Sequence, residues 1–358
     1  MAGGQWRPAG DRAAGLPRGG VAVTARLWRT TGLAASLLLA SAAARADSCT
    51  AAMSDVVFGQ VSPVSGSDYF ANGTLTVTCT WTLLGNLGVL LLPNVNYCVN
   101  AGPGSAGTSV TARAMANGAA RMQFNLYRDS SYAANAVWGS TAVAGTLPVT
   151  GQMGGLLALG SLSQTFTIRG RIPASALAGV PSTGGADTAY VADFAGHGTL
   201  QYSFYGLLAP AADCRAGAST SFSFKARATV TNNCFINADT LAFGASNRVL
   251  ASAVRAVGTL SVQCTANNPY AISLNGGSVS GNPAARQMRN GATGESIGYE
   301  ISGTLDGPPW GDGSGGTSMV TGTGTGATQA VKMYGRVPAQ RTPSPGTYRD
   351  TVTATIWF

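Results

Sequence analysis

Six cysteines, Cys49, Cys79, Cys98, Cys214, Cys234 and Cys264, are the most reactive side chains in this chain, and their number is even. Every other candidate for chemistry is weak. His197 is the one histidine among 358 residues, which leaves no histidine-based catalytic dyad and few zinc sites to consider. It lies in Ala-Gly-His-Gly-Thr and reads as an exposed turn residue. Gly102-Pro-Gly-Ser-Ala-Gly107 satisfies G-x-G-x-x-G, but no helix-forming segment opens there, so a turn is expected and not a dinucleotide site. Gly311-Asp-Gly-Ser-Gly-Gly316 offers a serine without a histidine to act as its base. Asp306, Asp312 and Asp350 would hold Ca²⁺ only by converging, since no EF-type spacing is present. Asn72-Gly-Thr74 is a formal glycosylation sequon. The expectation is therefore no catalytic residue, no metal and no cofactor.

Whether the cysteines pair depends on the compartment. Arg26 and Arg29 precede an apolar run, Leu33 to Ala44, which is shorter than the roughly 20 residues a membrane span needs. It ends in Ala44-Arg45-Ala46, a small-x-small cleavage site, so residues 1–46 read as a signal peptide and the mature chain as starting at Asp47. Export leads to an oxidising compartment, where cysteines form disulfides. It also removes six of the 22 basic residues and one of the 14 acidic ones. Most of the formal +8 goes with them. With two lysines (Lys225, Lys332) and no basic run, nucleic acid is not an expected partner.

An internal repeat narrows the pairing. Cys49 to Cys79 and Cys234 to Cys264 are both 30 residues apart, and the two windows align without a gap at an offset of 185. Val57-Phe-Gly59 falls on Ala242-Phe-Gly244, and Gly73-Thr-Leu-Thr-Val-Thr-Cys79 on Gly258-Thr-Leu-Ser-Val-Gln-Cys264. Further landmarks recur in order: Arg113 with Arg286, Trp138-Gly139 with Trp310-Gly311, and Gly170-Arg-Ile-Pro-Ala174 with Gly335-Arg-Val-Pro-Ala339. A repeat of this length means two homologous domains. It suggests the disulfides Cys49–Cys79 and Cys234–Cys264, leaving Cys98 and Cys214 to each other.

The elements that must hold these residues are strands. Thr/Val alternation, Asn-Gly turns and Gly/Ser punctuation about every ten residues predict an all-β chain of two tandem immunoglobulin-like sandwiches. The domains are expected at 47–214 and 215–358, with Arg215 to Thr220 as the linker. The alternating stretch Ser221 to Val230 could serve either domain. The chain also ends on an alternating stretch, Tyr348 to Phe358, with nothing after it to cover that edge.

Taken together, the Cys with Phe-Gly nine residues on, the Gly-Thr-Leu-x-Val-x-Cys strand, Trp310-Gly-Asp-Gly313 and the Gly346-Thr-Tyr-x-Asp-x-Val352 ending resemble the spore coat protein U domain. The match is strong over 220–358 and interrupted over 49–174. The resemblance implies subunits of archaic chaperone–usher pili, whose fold lacks its last strand. The implied partners are a periplasmic chaperone, an outer-membrane usher and an adjacent pilin subunit that donates the missing strand. A shaft subunit carries a donor strand ahead of its first cysteine, whereas only Asp47 and Ser48 precede Cys49 here. The expectation is a two-domain tip adhesin, exported to the periplasm and then displayed at the pilus tip.

Differences between the copies show what the first domain gained. Ten extra residues follow Cys79, a second excess lies between Trp138 and Arg171, and a third follows Ala174. All three hold leucines near glycines, although loops are normally polar. The resemblance implies that a tip subunit grips surfaces through hydrophobic finger loops. The candidates are Leu83, Leu84, Leu87, Leu156, Leu157, Leu159, Leu207 and Leu208. They would serve adhesion to apolar or abiotic surfaces and biofilm formation. Two other readings stand beside this one: a structural coat or minor pilus subunit, and a carbohydrate-binding tip with Trp81, Tyr127, Tyr132 and Trp138 as stacking platforms. A further reading makes these leucines core, Val89 to Leu92 in particular reading as an ordinary buried strand.

Overall fold

The computed structural model describes residues 47–81, 94–154, 160–206, 209–245 and 250–358. Almost all regular structure is β, and the one α-helix among the described residues is the single turn Gly277–Ser280.

The first sandwich comprises β1 (Ser48–Met53), β2 (Val56–Val61), β3 (Tyr69–Trp81), β4 (Asn94–Ala101), β5 (Arg113–Asn117) and β6 (Ala120–Tyr127). It continues with β7 (Val149–Met153), β8 (Gly160–Ile172), β9 (Thr188–Asp193), β10 (Gly198–Tyr205), β11 (Ala218–Phe222) and β12 (Lys225–Val230). One sheet runs β1-β3-β8-β6-β5-β9-β12-β2, and the facing sheet runs β11-β10-β4-β7. Strand β3 shows why this sequence is a strand. Ala71, Leu75, Val77, Cys79 and Trp81 point into the core while Asn72, Thr74, Thr76, Thr78 and Thr80 point outward, the two-residue period of a half-buried strand.

The second sandwich repeats the plan in β13 (Cys234–Ala238), β14 (Val254–Cys264), β15 (Pro269–Leu274), β16 (Arg286–Asn290) and β17 (Ser296–Ser302). It closes with β18 (Val320–Thr323), β19 (Gln329–Val337), β20 (Tyr348–Arg349) and β21 (Ala354–Trp357). Its sheets run β13-β14-β19-β17-β16-β20 and β18-β15-β21. Disulfides join Cys49 on β1 to Cys79 on β3, Cys234 on β13 to Cys264 on β14, and Cys98 to Cys214.

Residues 215–220 are not a linker: Cys214–Ala216 is a 3-10 turn, and β11 then pairs with β10. Strand β12 enters the first sandwich between β9 and β2, antiparallel to one and parallel to the other. A strand goes where its apolar face is buried, and Phe222, Phe224, Ala226, Ala228 and Val230 are all buried in the first core. The crossing between domains is Thr231 to Asn233. There Asn268 Nδ2 donates to Asn232 Oδ1 at 2.7 Å and to Ser182 Oγ, while Asn233 Nδ2 donates to Ser62 Oγ at 3.2 Å.

Candidate functional site

Two places in this architecture can do something beyond holding the fold. One is an end of the first sandwich, and the other is a flank of the second.

All eight candidate leucines of the inserted segments, Leu83, Leu84, Leu87, Leu156, Leu157, Leu159, Leu207 and Leu208, lie outside the described residues, as do Val89 to Leu92. Their roots are described, and they converge. Trp81, where the first insertion leaves, is in register with Gly160, where the second returns. Asn94, where the first returns, pairs with Tyr205, and Val95 pairs with Met153, just before the second leaves. Trp81 meets Phe204 edge-on with ring centroids 6.1 Å apart. A cleft of about 490 Å³ lies among these roots, lined by Asn94, Met153, Leu162, Gln164 and Tyr205. Leu162 is 40% exposed there. All three insertions thus spring from one end of one sandwich.

That end is braced from below. Cys214 is tied to Cys98 on β4, so the chain leaving the third insertion is held to the strand that receives the first. Asn96 Nδ2 donates to Ala212 O at 2.9 Å. Arg215 forks onto Asp213, and this hydrogen-bonded ion pair holds the carboxyl down at about 2. Tyr97 is buried, which pushes its phenol up to about 12, and its hydroxyl donates to Gln164 Oε1.

The second place appears when the copies are superposed by sheet order. In the first domain β12 fills the gap between β9 and β2, and β11 covers the outer edge of β10. In the second domain the corresponding edges are those of β20 and β21. Among the described residues neither has a partner on that side, and Leu241 to Ala245, the counterpart of β2, forms no strand. The cores differ accordingly. Among the described residues, the first cluster has 35 buried residues and six partly buried ones against it, whereas the second has 14 and 11. The partly buried set includes Leu241, Phe243, Tyr348, Val352 and Ile356. Trp357, the last residue of β21, and Phe358 after it are more than half exposed.

The remaining sequence candidates are scattered. Trp81 and Trp138 are buried, which removes them as stacking platforms; burial of Trp138 follows from its indole N–H, which reaches Val99 O at 2.8 Å. Tyr127 and Tyr132 do come together, with Phe70 beside them: Tyr132 lies 5.3 Å from Tyr127 and 4.9 Å from Phe70 between centroids. Asp306 pairs with Arg255, Asp312 takes the Ser314 hydroxyl, and Asp350 takes the Tyr299 phenol, so the three aspartates do not converge. Burial, and secondarily the Asp350 carboxylate, raises the Tyr299 phenol. No cluster of metal-ligand type occurs among the described residues. His197 sits in a turn and is half-buried, not exposed; its carbonyl accepts from Gly102 N–H at 2.7 Å. Sequence reasoning left open which sandwich β12 joins, and it noted Arg113 and Arg286 as matching landmarks without seeing that both are fully buried. Their recurrence at matching places was the available signal.

No described helix is long and apolar enough to cross a membrane. Among curated proteins, Protein U of Myxococcus xanthus is 35% identical over 133 residues, which cover 33% of this chain and 72% of that protein. Among solved structures, the CsuC–CsuE chaperone–tip adhesion subunit pre-assembly complex of Acinetobacter baumannii aligns at 15% identity, with a TM-score of 0.43, over 87% of this chain and 100% of that one. The CupB6 tip adhesin of Pseudomonas aeruginosa aligns at 11% identity, with a TM-score of 0.33, over 87% and 95%. The model of the Spore Coat Protein U domain matches twice, over residues 34–192 and 220–355, and the chain belongs to that family.

Proposed function

We infer that this chain is the tip subunit of a chaperone–usher pilus. Its second domain takes a strand from a periplasmic chaperone and then from the adjacent pilin subunit, and the first domain adheres through its apolar insertions. The signal peptide delivers it to the periplasm, an outer-membrane usher passes it to the cell surface, and it supports biofilm formation there. No catalytic role is part of this reading.

One contrast carries it. Two copies of the same fold stand in one chain, and the place that β11 and β12 fill in the first has no described strand in the second. An unpaired edge over a half-covered core is a template for β-augmentation. The adhesive part rests on the common end from which all three insertions leave. Burying one leucine against an apolar surface is worth about 1.5–3 kcal/mol before ordering costs, so several on each of many fibres hold firmly without chemical selectivity.

The test replaces Leu83 and Leu84, Leu156 and Leu157, and Leu207 and Leu208 with serine in a piliated strain. Adhesion to polystyrene is lost while pili are still assembled. Adhesion that persists, or that only free sugar removes, overturns the apolar reading and favours a lectin built on Phe70, Tyr127 and Tyr132.

A further inference from the structure

Strand β12 has two neighbours, β9 and β2, so it is interior to its sheet although it lies far along the chain from both. By the family match, residues 220–230 belong to the second copy, which spans 220–355, and they lead directly into Cys234. Yet their contacts are with the first copy. Six consecutive residues, Lys225 to Val230, pair with β9. Phe224 stacks on Phe194 at 4.3 Å and lies 5.8 Å from Trp138. At the rim Lys225 Nζ meets Asp193 at 3.1 Å, and Arg227 meets Asp55 at 2.5 Å. Removing residues 222–230 would detach β2 from the sheet and take five side chains out of the core.

We propose that the first domain is itself a strand acceptor, satisfied within the chain by the leading segment of the second repeat. The two halves are then joined by strand capture, and the covalent link at residues 215–217 is dispensable for holding them together. No disulfide crosses that point, since Cys49–Cys79 and Cys98–Cys214 lie before it and Cys234–Cys264 after it. The assignment does not depend on what the second domain binds.

The experiment uses the full mature chain with a specific protease site inserted between Ala216 and Gly217. After cleavage under non-reducing conditions, the two pieces elute as one species with the volume of the uncut protein. The same cut in a chain carrying Ala226→Asp and Ala228→Asp, which place carboxylates on the buried face of β12, releases them. The same cut in Asn268→Ala, which weakens the crossing between domains, does not. A second measurement covers failure of the aspartate variant to fold. Cut wild-type protein is unfolded in urea with its disulfides intact and refolded with a large excess of a peptide of residues 218–231. The peptide takes the place of β12, and most of the second piece elutes separately; a scrambled peptide leaves the pieces together. Separation of the wild-type pieces on cutting overturns the proposal. So does separation of the Asn268→Ala pieces, or a native peptide that releases no more than the scrambled one.

Discussion

The guanidinium of Arg113 donates to the carbonyl of Trp138 at 2.6 Å, at a site sealed from solvent. Its other donors reach Ala101 O at 2.8 Å, Gly102 O at 2.9 Å and Asn125 Oδ1 at 2.8 Å. In the second domain Arg286 donates to Trp310 O at 2.7 Å, and the Trp310 indole N–H donates to Ile272 O at 2.7 Å, as that of Trp138 does to Val99 O. Each arginine therefore ties the Trp-Gly loop to the end of a central strand. Carbonyl and amide oxygens stand where a carboxylate would be usual, and burial lowers the pKa of both arginines.

Lysine cannot reproduce that fork, because a single ammonium reaches one or two of the acceptors. Each buried acceptor left without a donor costs about 1–3 kcal/mol. Arg113→Lys is expected to destabilise the first domain by about 3 kcal/mol, and Arg286→Lys to act likewise on the second. Urea unfolding, with each domain followed by its own tryptophan emission, checks this; unchanged midpoints would show that the fork is incidental.

These arginines mark where sequence reasoning stops. The strands were legible because β3 and β14 alternate without interruption and each carries a cysteine at or near its end, so the faces follow from the period and the first two disulfide pairs from the repeat. An arginine, by contrast, is usually exposed, and nothing local to Arg113 announces that four acceptors surround it. Phe222 to Val230 posed a different difficulty. Its alternation is plain, but alternation specifies a face and not a neighbour, and the same pattern would suit either sandwich. Placement was decided by the stack of Phe224 on Phe194 and Trp138, a contact between segments remote in sequence. The apolar insertions were legible only as a departure from the second copy.

Acid should loosen the joint between β3 and β8. Asp68 accepts the Ala174 N–H at 2.8 Å and the Arg171 Nε–H at 2.8 Å. The backbone hydrogen bond, together with Arg171, lowers its pKa below the ordinary 3.8. A carboxylate with a depressed folded value contributes stability that is complete above the unfolded value and lost as pH falls through the folded one. The wild-type stability curve should therefore drop below about pH 4 more steeply than that of Asp68→Asn, and the two should converge in strong acid. Parallel curves from pH 5 to pH 2 would contradict this.

The Cys98–Cys214 bridge spans 116 residues. In the chain-entropy account, closing a loop of that size contributes about 4–5 kcal/mol, less any native-state strain. Replacing both cysteines with serine should lower the thermal midpoint of the first domain while leaving that of the second in place. Surface adhesion should fall as well, because the exit of the third insertion is no longer held to β4. Loss of stability with full adhesion would separate the brace from the function.

Glycine at 335 has a counterpart at 170, and both sit under a phenylalanine. A Cβ on Gly170 would lie 2.6 Å from the Phe58 ring, and one on Gly335 would lie 2.8 Å from both the Phe243 ring and Leu241. In the first domain Phe58 is held from outside, because β2 is paired with β12 along its length. In the second, Phe243 and Leu241 are only partly buried, and no described strand lies over them. The same added bulk should therefore act differently. Gly170→Val must displace a ring locked in a finished core and should cost about 1–3 kcal/mol, as overpacking usually does. Gly335→Val can push its phenylalanine outward at less cost to the isolated chain, yet the displaced ring would occupy the space an incoming strand needs. It should leave the unfolding midpoint of the second domain nearly unchanged and reduce recovery of the chain in complex with a strand-donating chaperone at least tenfold, a change of about 1.4 kcal/mol. If Gly335→Val and Gly170→Val destabilise their domains equally and chaperone recovery is unaffected, Leu241 and Phe243 do not line the acceptor site.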